Sequence, residues 1–201
     1  MGVTHVLRGE DHLANTLRQW LVLAALGLEP PAYGHLPLVV GGDGAPLSTR
    51  RGAASLGELR ARGYLPGAIA NYLLRLGHAG APDGWLDPAE LAAHFSVERI
   101  GRAPARFDEA QLLHWQREAV KRLDAEALGA WLAPALPEGL DAAARATLAG
   151  LLRHNLLFPA DAAPWAEVLF GGVPVPDAEA RAQLERAGAG FFAAARASLD
   201  A

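Results

Sequence analysis

The chain has 201 residues, a hydrophobic fraction of 51%, a charged fraction of 20% and a net charge of −4. That length allows one large domain or two small ones, and the composition is globular rather than disordered. The negative balance excludes bulk electrostatic attachment to nucleic acid, yet it leaves room for a local basic face. With no cysteine, disulfide and thiolate chemistry are excluded, and the compartment suggested is the cytoplasm. No apolar run reaches membrane-spanning length without a break, so no membrane partner is expected. The start, MGVTHVLRGEDH, has no basic region followed by an apolar stretch, and a secretory leader is not expected. The seven histidines are scattered without paired spacing, so no zinc or other metal site is expected. Lys121 is the only lysine among 18 basic residues. A GC-rich coding background explains arginine for lysine at indifferent positions, but not proline or threonine where a lysine is needed.

In chain order, Met1 to Leu7 reads as a short strand carrying Val3, Val6 and Leu7, and Arg8-Gly9 turns the chain. Glu10-Asp11 place acidic groups in the first turn of a helix, where the macrodipole favours them. Leu13, Leu17, Trp20, Leu21, Leu23 and Ala24 give that helix an apolar face, Gly27 ends it, and Pro30-Pro31 prevent a restart. Leu36 to Val40 reads as a buried strand followed by the loop GGDGAPLSTRRG (41–52). Strand, helix and strand in so short a span suggest a parallel α/β unit, with too few strands for a complete doubly wound sheet. Val3, Val6, Leu38 and Val40 are therefore expected to be exposed or covered by a partner.

Beyond Gly52 the pattern turns helical. Ser55 and Glu58 have capping-box spacing, and Pro66 opens a helix with Ile69, Tyr72, Leu73 and Leu76 on one face. Asp87-Pro88 starts another helix through Leu91 and Phe95, and Gly101 to Asp108 reads as a loop. The remainder reads as helices over 111–123, 125–135, 141–157, 162–170 and 177–199, punctuated by prolines. The fold class is thus mostly α with a small α/β N-terminal part.

Three segments carry candidate chemistry. Arg8-Gly9-Glu10-Asp11-His12 sits at a strand-to-helix turn, where α/β proteins place ligands. An arginine there can clamp a carboxylate, and an acid can accept from an amino or ribose group. By spacing alone, a capped helix with solvated charges is the favoured reading. The glycine loop follows a strand, as phosphate-holding loops do, but it lacks the order of a P-loop. Taken alone it reads as a turn. Arg99, Arg102 and Arg106 surround an irregular loop, where phosphate contact and simple solvation are equally compatible with the pattern.

The order of these pieces changes that balance. Residues 2–19, GVTHVLRGEDHLANTLRQ, resemble a signature of bacterial glutamyl-tRNA synthetases, members of the class I aminoacyl-tRNA synthetases. Gly34-His35-Leu36-Pro37-Leu38, the loop ending Leu47-Ser48-Thr49-Arg50-Arg51-Gly52, the segment from Gly63-Tyr64-Leu65-Pro66 through Asn71-Tyr72-Leu73, and the 101–108 loop follow in the same order. The resemblance implies ATP with Mg2+, L-glutamate and tRNA as ligands. It makes 1–52 the last part of a Rossmann-like catalytic domain, 53–103 a helical stem-contact domain and 104–201 a first helical anticodon-binding domain. Arg8 then matches the arginine that binds a glutamate carboxylate. Glu10, Asp11, His12, Leu38 and Val39 match the ATP site, and Arg99, Arg102 and Arg106 match tRNA contacts.

The same resemblance makes Pro46-Leu47-Ser48-Thr49-Arg50 a KMSKS-type loop, which in this family usually reads Lys-Leu-Ser-Lys-Arg. Both lysines are replaced here. Their usual task is to neutralise the triphosphate as pyrophosphate leaves, whereas threonine offers only a hydroxyl and proline no donor. The family's first nucleotide-binding half, with its HIGH motif, and its last helical domain have no counterpart in these residues. The expectation is a truncated synthetase-like chain that is inactive in isolation, unless a separate polypeptide or flanking segment supplies the rest. The alternatives are a non-catalytic tRNA-binding or regulatory module and a degenerate remnant.

Overall fold

Two strands and one helix open the molecule. The computed structural model describes residues 2–47, 55–170 and 175–199. Strand β1 (His5–Gly9) runs parallel to β2 (Ala32–Leu36), in a register that sets Val6 beside Tyr33 and Arg8 beside His35. Between them Glu10–His12 form a 3-10 turn and Leu13–Ala25 form helix α1. Gly27, at φ 68, takes the left-handed conformation that releases the chain after α1.

The expected strand 36–40 is broken. Pro37 cannot donate to a ladder, and β2 ends at Leu36. A separate two-residue strand, β3 (Val39–Val40), pairs in parallel with β4 (Ala105–Arg106). The 101–108 segment is therefore not wholly irregular: Ala105 N donates to Leu38 O at 3.3 Å, and Phe107 N to Val40 O at 2.8 Å. This long-range pairing carries no local sequence signal, because Ala-Arg has little strand preference of its own.

The helical part is built on two apolar clusters. Helices α2 (Leu56–Arg62), α3 (Pro66–Gly77) and α5 (Glu109–Arg122) bury Leu59, Tyr64, Ala68, Tyr72, Leu112 and Trp115 together. Helix α4 (Pro88–His94) packs beside α3. Helices α6 (Ala125–Leu132), α7 (Ala142–Leu152) and α8 (Ala163–Phe170) surround Val120, Leu128, Leu132, Leu148 and Leu152. Helix α5 contributes to both clusters and so joins them. The expected capping box is present on α2: Ser55 Oγ accepts from Glu58 N at 3.2 Å, and Glu58 accepts from Ser55 N at 2.6 Å. Two sequence-expected helices are shorter than their patterns, because 3-10 turns at Ala133–Ala135 and Arg153–Asn155 end them. Helix α9 (Ala178–Leu199) is kinked at Gly188, whose φ 70 and ψ 164 suit only glycine.

One buried side chain ties the helical part together. Gln116 is fully buried; its Oε1 accepts from Leu65 N at 2.9 Å, and its Nε2 donates to Leu157 O at 2.9 Å and Gly63 O at 3.2 Å. Trp131 Nε1 donates to the same Gly63 carbonyl at 3.0 Å. Gly63 itself has φ 95 and ends α2, and an added Cβ would lie 2.3 Å from the Pro159 ring. Both requirements make glycine the residue that fits.

Candidate functional site

The N-terminal unit gathers its polar side chains around Arg8. Arg8 Nη1 donates to Gln19 Oε1 at 2.8 Å, and Nη2 donates to Thr16 Oγ1 at 2.6 Å. The Thr16 hydroxyl also meets His35 Nε2 at 2.8 Å. The guanidinium lies over the Tyr33 ring, 5.1 Å from its centroid. Register explains this set. Tyr33 and His35 alternate along β2, so they share one face with Val6 and Arg8. Thr16 and Gln19 are three apart on α1 and face the same way. Arg8 Nε is buried without a partner among the described residues. Each terminal nitrogen spends one hydrogen on the protein and keeps one for a ligand, which suits a planar carboxylate.

Of the sequence-expected residues, Arg8 is half-buried, and Glu10, Asp11 and His12 are exposed on the 3-10 turn that follows. Glu10 Oε1 accepts from Leu38 N at 3.4 Å, which brings the 10–12 turn to the link between β2 and β3. His12 Nε2 lies 3.8 Å from Asp11 Oδ2. Leu38 and Val39 are half-buried beside it. Glu10, Asp11, His12, Leu38 and Val39 thus come from two segments that meet. Thr16, Gln19, Tyr33 and His35 were not singled out from sequence. The two spacings just described are the signal that could have found them.

The glycine loop begins at β3. Gly41 N donates to Ala45 O at 2.8 Å, Gly44 N donates to Gly41 O at 3.0 Å, and Asp43 Oδ1 accepts from Ala45 N at 3.0 Å. Pro46 bridges antiparallel to Val40, and Leu47 N donates to Val39 O at 2.9 Å. Ser48, Thr49 and Arg50 lie outside the described residues.

Of the four apolar positions expected to be open, Val3 is 57% exposed, Val6 and Leu38 are half-buried, and Val40 is 8% exposed. Val40 is covered because β4 and Pro46 flank it. Open apolar surface is far larger on α1, which buries no residue and exposes Leu13, Leu17, Trp20, Leu21 and Val22.

The basic residues of the 99–122 stretch differ in their surroundings. Arg99 lies on a 3-10 turn, Arg102 on the following bend and Arg106 on β4; all three are exposed and unpartnered among the described residues. Lys121 and Arg122 are instead held by Glu118, at 2.8 and 2.7 Å. The hydrogen bond from Lys121, then that from Arg122, holds the Glu118 carboxyl at about 2, well below its ordinary 4.5. On the other side of β3, an apolar groove of about 590 Å³ is lined by Leu36, Val39, Leu73, Leu76, Phe95 and Ala105. Among the described residues, no cluster of three or more His, Cys, Asp or Glu could hold a metal ion.

A parallel strand–helix–strand unit with a cluster of polar side chains towards its carboxyl end, followed by helices, is an arrangement that nucleotide-using α/β proteins share. Residues 1–114 match the family model of tRNA synthetases class I (E and Q), catalytic domain, and the chain belongs to this family. It is 52% identical over 200 residues to glutamate–tRNA ligase 2 of Nitrosococcus oceani and 50% identical over 201 residues to that of Acidithiobacillus ferrooxidans. All of this chain is covered in both comparisons, and it spans 42% of the length of each relative. The fold is shared with a glutamate–tRNA ligase from Elizabethkingia meningosepticum, crystallised with its amino acid. The TM-score is 0.72 at 23% identity, over 88% of this chain and 39% of that one.

Proposed function

We propose that these residues form part of a glutamate–tRNA ligase, which uses ATP to attach L-glutamate to tRNA. The observation that carries this reading is the Arg8 cage. Its guanidinium is held by Thr16, Gln19 and Tyr33 and keeps one hydrogen on each terminal nitrogen for a ligand. A glutamate carboxylate is the ligand such a fork suits, given relatives named for that amino acid. Glu10, Asp11, His12, Leu38 and Val39 line the adjoining ATP site, and Pro46-Leu47 belong to its KMSKS-type loop. Mg2+ would arrive on the ATP phosphate oxygens rather than in a protein cage. Residues 1–52 belong to the catalytic domain, 53–103 to the stem-contact domain and 104–201 to the anticodon-binding bundle.

The 201 residues alone do not catalyse the reaction in this proposal, because joining ATP to glutamate needs both walls of the pocket held together. The exposed apolar side of α1 is the surface that the other wall, on the same or another polypeptide, would cover. The test is a titration with L-glutamate followed by NMR. Glutamate is expected to move the Arg8, Thr16 and Gln19 side-chain resonances, glutamine to move them less, and Arg8→Ala to remove the response. A glutamate response that survives Arg8→Ala would defeat the assignment. ATP–pyrophosphate exchange by the chain alone would defeat the claim of inactivity.

A second reading, a module that binds tRNA without catalysis, is favoured by the unpartnered Arg99 and Arg102. Binding depends on the charge facing the phosphates rather than on the total. Affinity for a glutamate tRNA and an unrelated tRNA should then fall steeply with salt, and Arg102→Glu should weaken both complexes. Salt-insensitive binding would contradict it.

A further inference from the structure

Three elements meet at one hydroxyl. Arg8 of β1 and His35 of β2 stand level in the parallel register, so their side chains project to the same face of the sheet. Helix α1 places Thr16 between them: Thr16 Oγ1 lies 2.6 Å from Arg8 Nη2 and 2.8 Å from His35 Nε2. A third neighbour, the His12 carbonyl oxygen, is 3.4 Å away. The hydroxyl has a single hydrogen and two lone pairs, and an arginine only donates, so Arg8 Nη2 takes a lone pair. The hydrogen then has two acceptors to choose between, and His35 Nε2 is closer than the His12 carbonyl. That choice makes Nε2 the bare nitrogen of a neutral imidazole and puts the ring proton on Nδ1. The donors therefore run one way, from guanidinium to hydroxyl to imidazole.

The two anchors that α1 gives Arg8 differ in stiffness. Gln19 is exposed, and its long side chain has much rotamer freedom to lose. Thr16 is half-buried and β-branched, and so is stiff at its first torsion. Thr16 is thus the firmer hold on the guanidinium, and the direction of its lone pairs depends on where its hydrogen goes. We propose that His35 is a positioning residue for the carboxylate site. By accepting the Thr16 hydrogen it turns a hydroxyl lone pair towards Arg8 Nη2 and keeps the guanidinium in the orientation that receives glutamate. This rests on the reading of Arg8 given above. His35 touches no ligand in this role; it acts through Thr16. Such support matters because a binding group works only when held within about 0.5 Å of its productive geometry.

Two measurements on the chain test this. The first needs no ligand: nitrogen NMR of the His35 ring at about pH 8, where an ordinary imidazole is neutral. The Nδ1–H form with a bare Nε2 is expected, and Thr16→Val should shift the Nε2 signal. A ring protonated at Nε2 would overturn the proposal. The second is the L-glutamate titration, repeated with His35→Leu, His35→Gln, Thr16→Val and the Thr16→Val, His35→Leu pair. Helix α1 buries no residue and His35 lies outside both apolar clusters, so these variants leave the helical core intact. His35→Leu should weaken glutamate binding about fivefold, the scale of one hydrogen bond. His35→Gln, which keeps an acceptor at similar reach, should restore most of it. The pair should bind no more weakly than Thr16→Val alone, because His35 has no other route to Arg8. His35→Leu binding glutamate as tightly as the parent, or adding its full loss to that of Thr16→Val, would overturn the role while leaving Arg8 as the carboxylate site. A parent chain whose Arg8 signals ignore glutamate would remove the reading of Arg8 itself.

Discussion

Helices α1 and α6 carry comparable apolar patterns and meet opposite fates. Leu128 and Leu132 of α6 are fully buried, whereas Leu17 of α1 is 65% exposed and α1 buries nothing. Within 2–47 only Val40 falls in the buried core, while 55–170 closes two clusters joined by α5. A 3.6-residue apolar period therefore specifies that a helix has a face to bury. It does not specify that the partner lies among the same residues. The helical part supplies its own partners, and the α/β part does not.

Core truncation should expose that contrast most strongly. Leu128→Ala is expected to destabilise the chain by about 3 kcal/mol, the usual scale for a buried leucine. Leu17→Ala should stay within about 0.5 kcal/mol, as exposed substitutions do. Urea unfolding of the two variants measures both, and equal losses would erase the distinction.

Next in size is Gln116→Ala. It strands the Leu65 N–H and the Leu157 carbonyl, while Gly63 O keeps Trp131. A loss of about 2 kcal/mol is expected from buried groups left without partners, read from the same denaturation curves.

The smallest effect is a pH dependence. Because the Glu118 carboxyl titrates at about 2 in the folded chain and near 4.5 otherwise, its contribution is complete above about 4.5. That contribution is lost as pH falls through about 2. Lys121 and Arg122 are each more than 40% exposed, so screening limits the contribution to about 1 kcal/mol. Glu118→Gln should flatten the stability difference between pH 6 and pH 2.5 by about that amount. An unchanged profile would show that the ion pairs contribute nothing.

What was legible in the sequence were the features fixed by local chemistry. Ser55 with Glu58 and Asp87 with Pro88 announce helix starts; the Ser55–Glu58 capping box forms as its spacing implies, and Asp87 adds a second with Glu90. Gly27 and Pro66 mark a helix end and a helix start for equally local reasons. Arg8 was visible because it sits at a strand-to-helix turn. Its cage was not, because Thr16, Gln19, Tyr33 and His35 converge only once β1 and β2 pair in parallel. The β3–β4 pair was missed for the same reason: its partners are more than sixty residues apart and two residues long. Helix ends at Leu132 and Leu152 were overrun because alanine-rich sequence continues the helical pattern into the 3-10 turns.

Amide hydrogen exchange tests the central contrast most directly. If the α/β part lacks its covering partner among these residues, the amides of α1, β1 and β2 should exchange through local opening, far faster than those of α5, α6 and α7. The latter should exchange only with global unfolding. Protection in α1 equal to that in α5 would contradict the account, because it would mean that the apolar face of α1 is already buried in the chain as it stands.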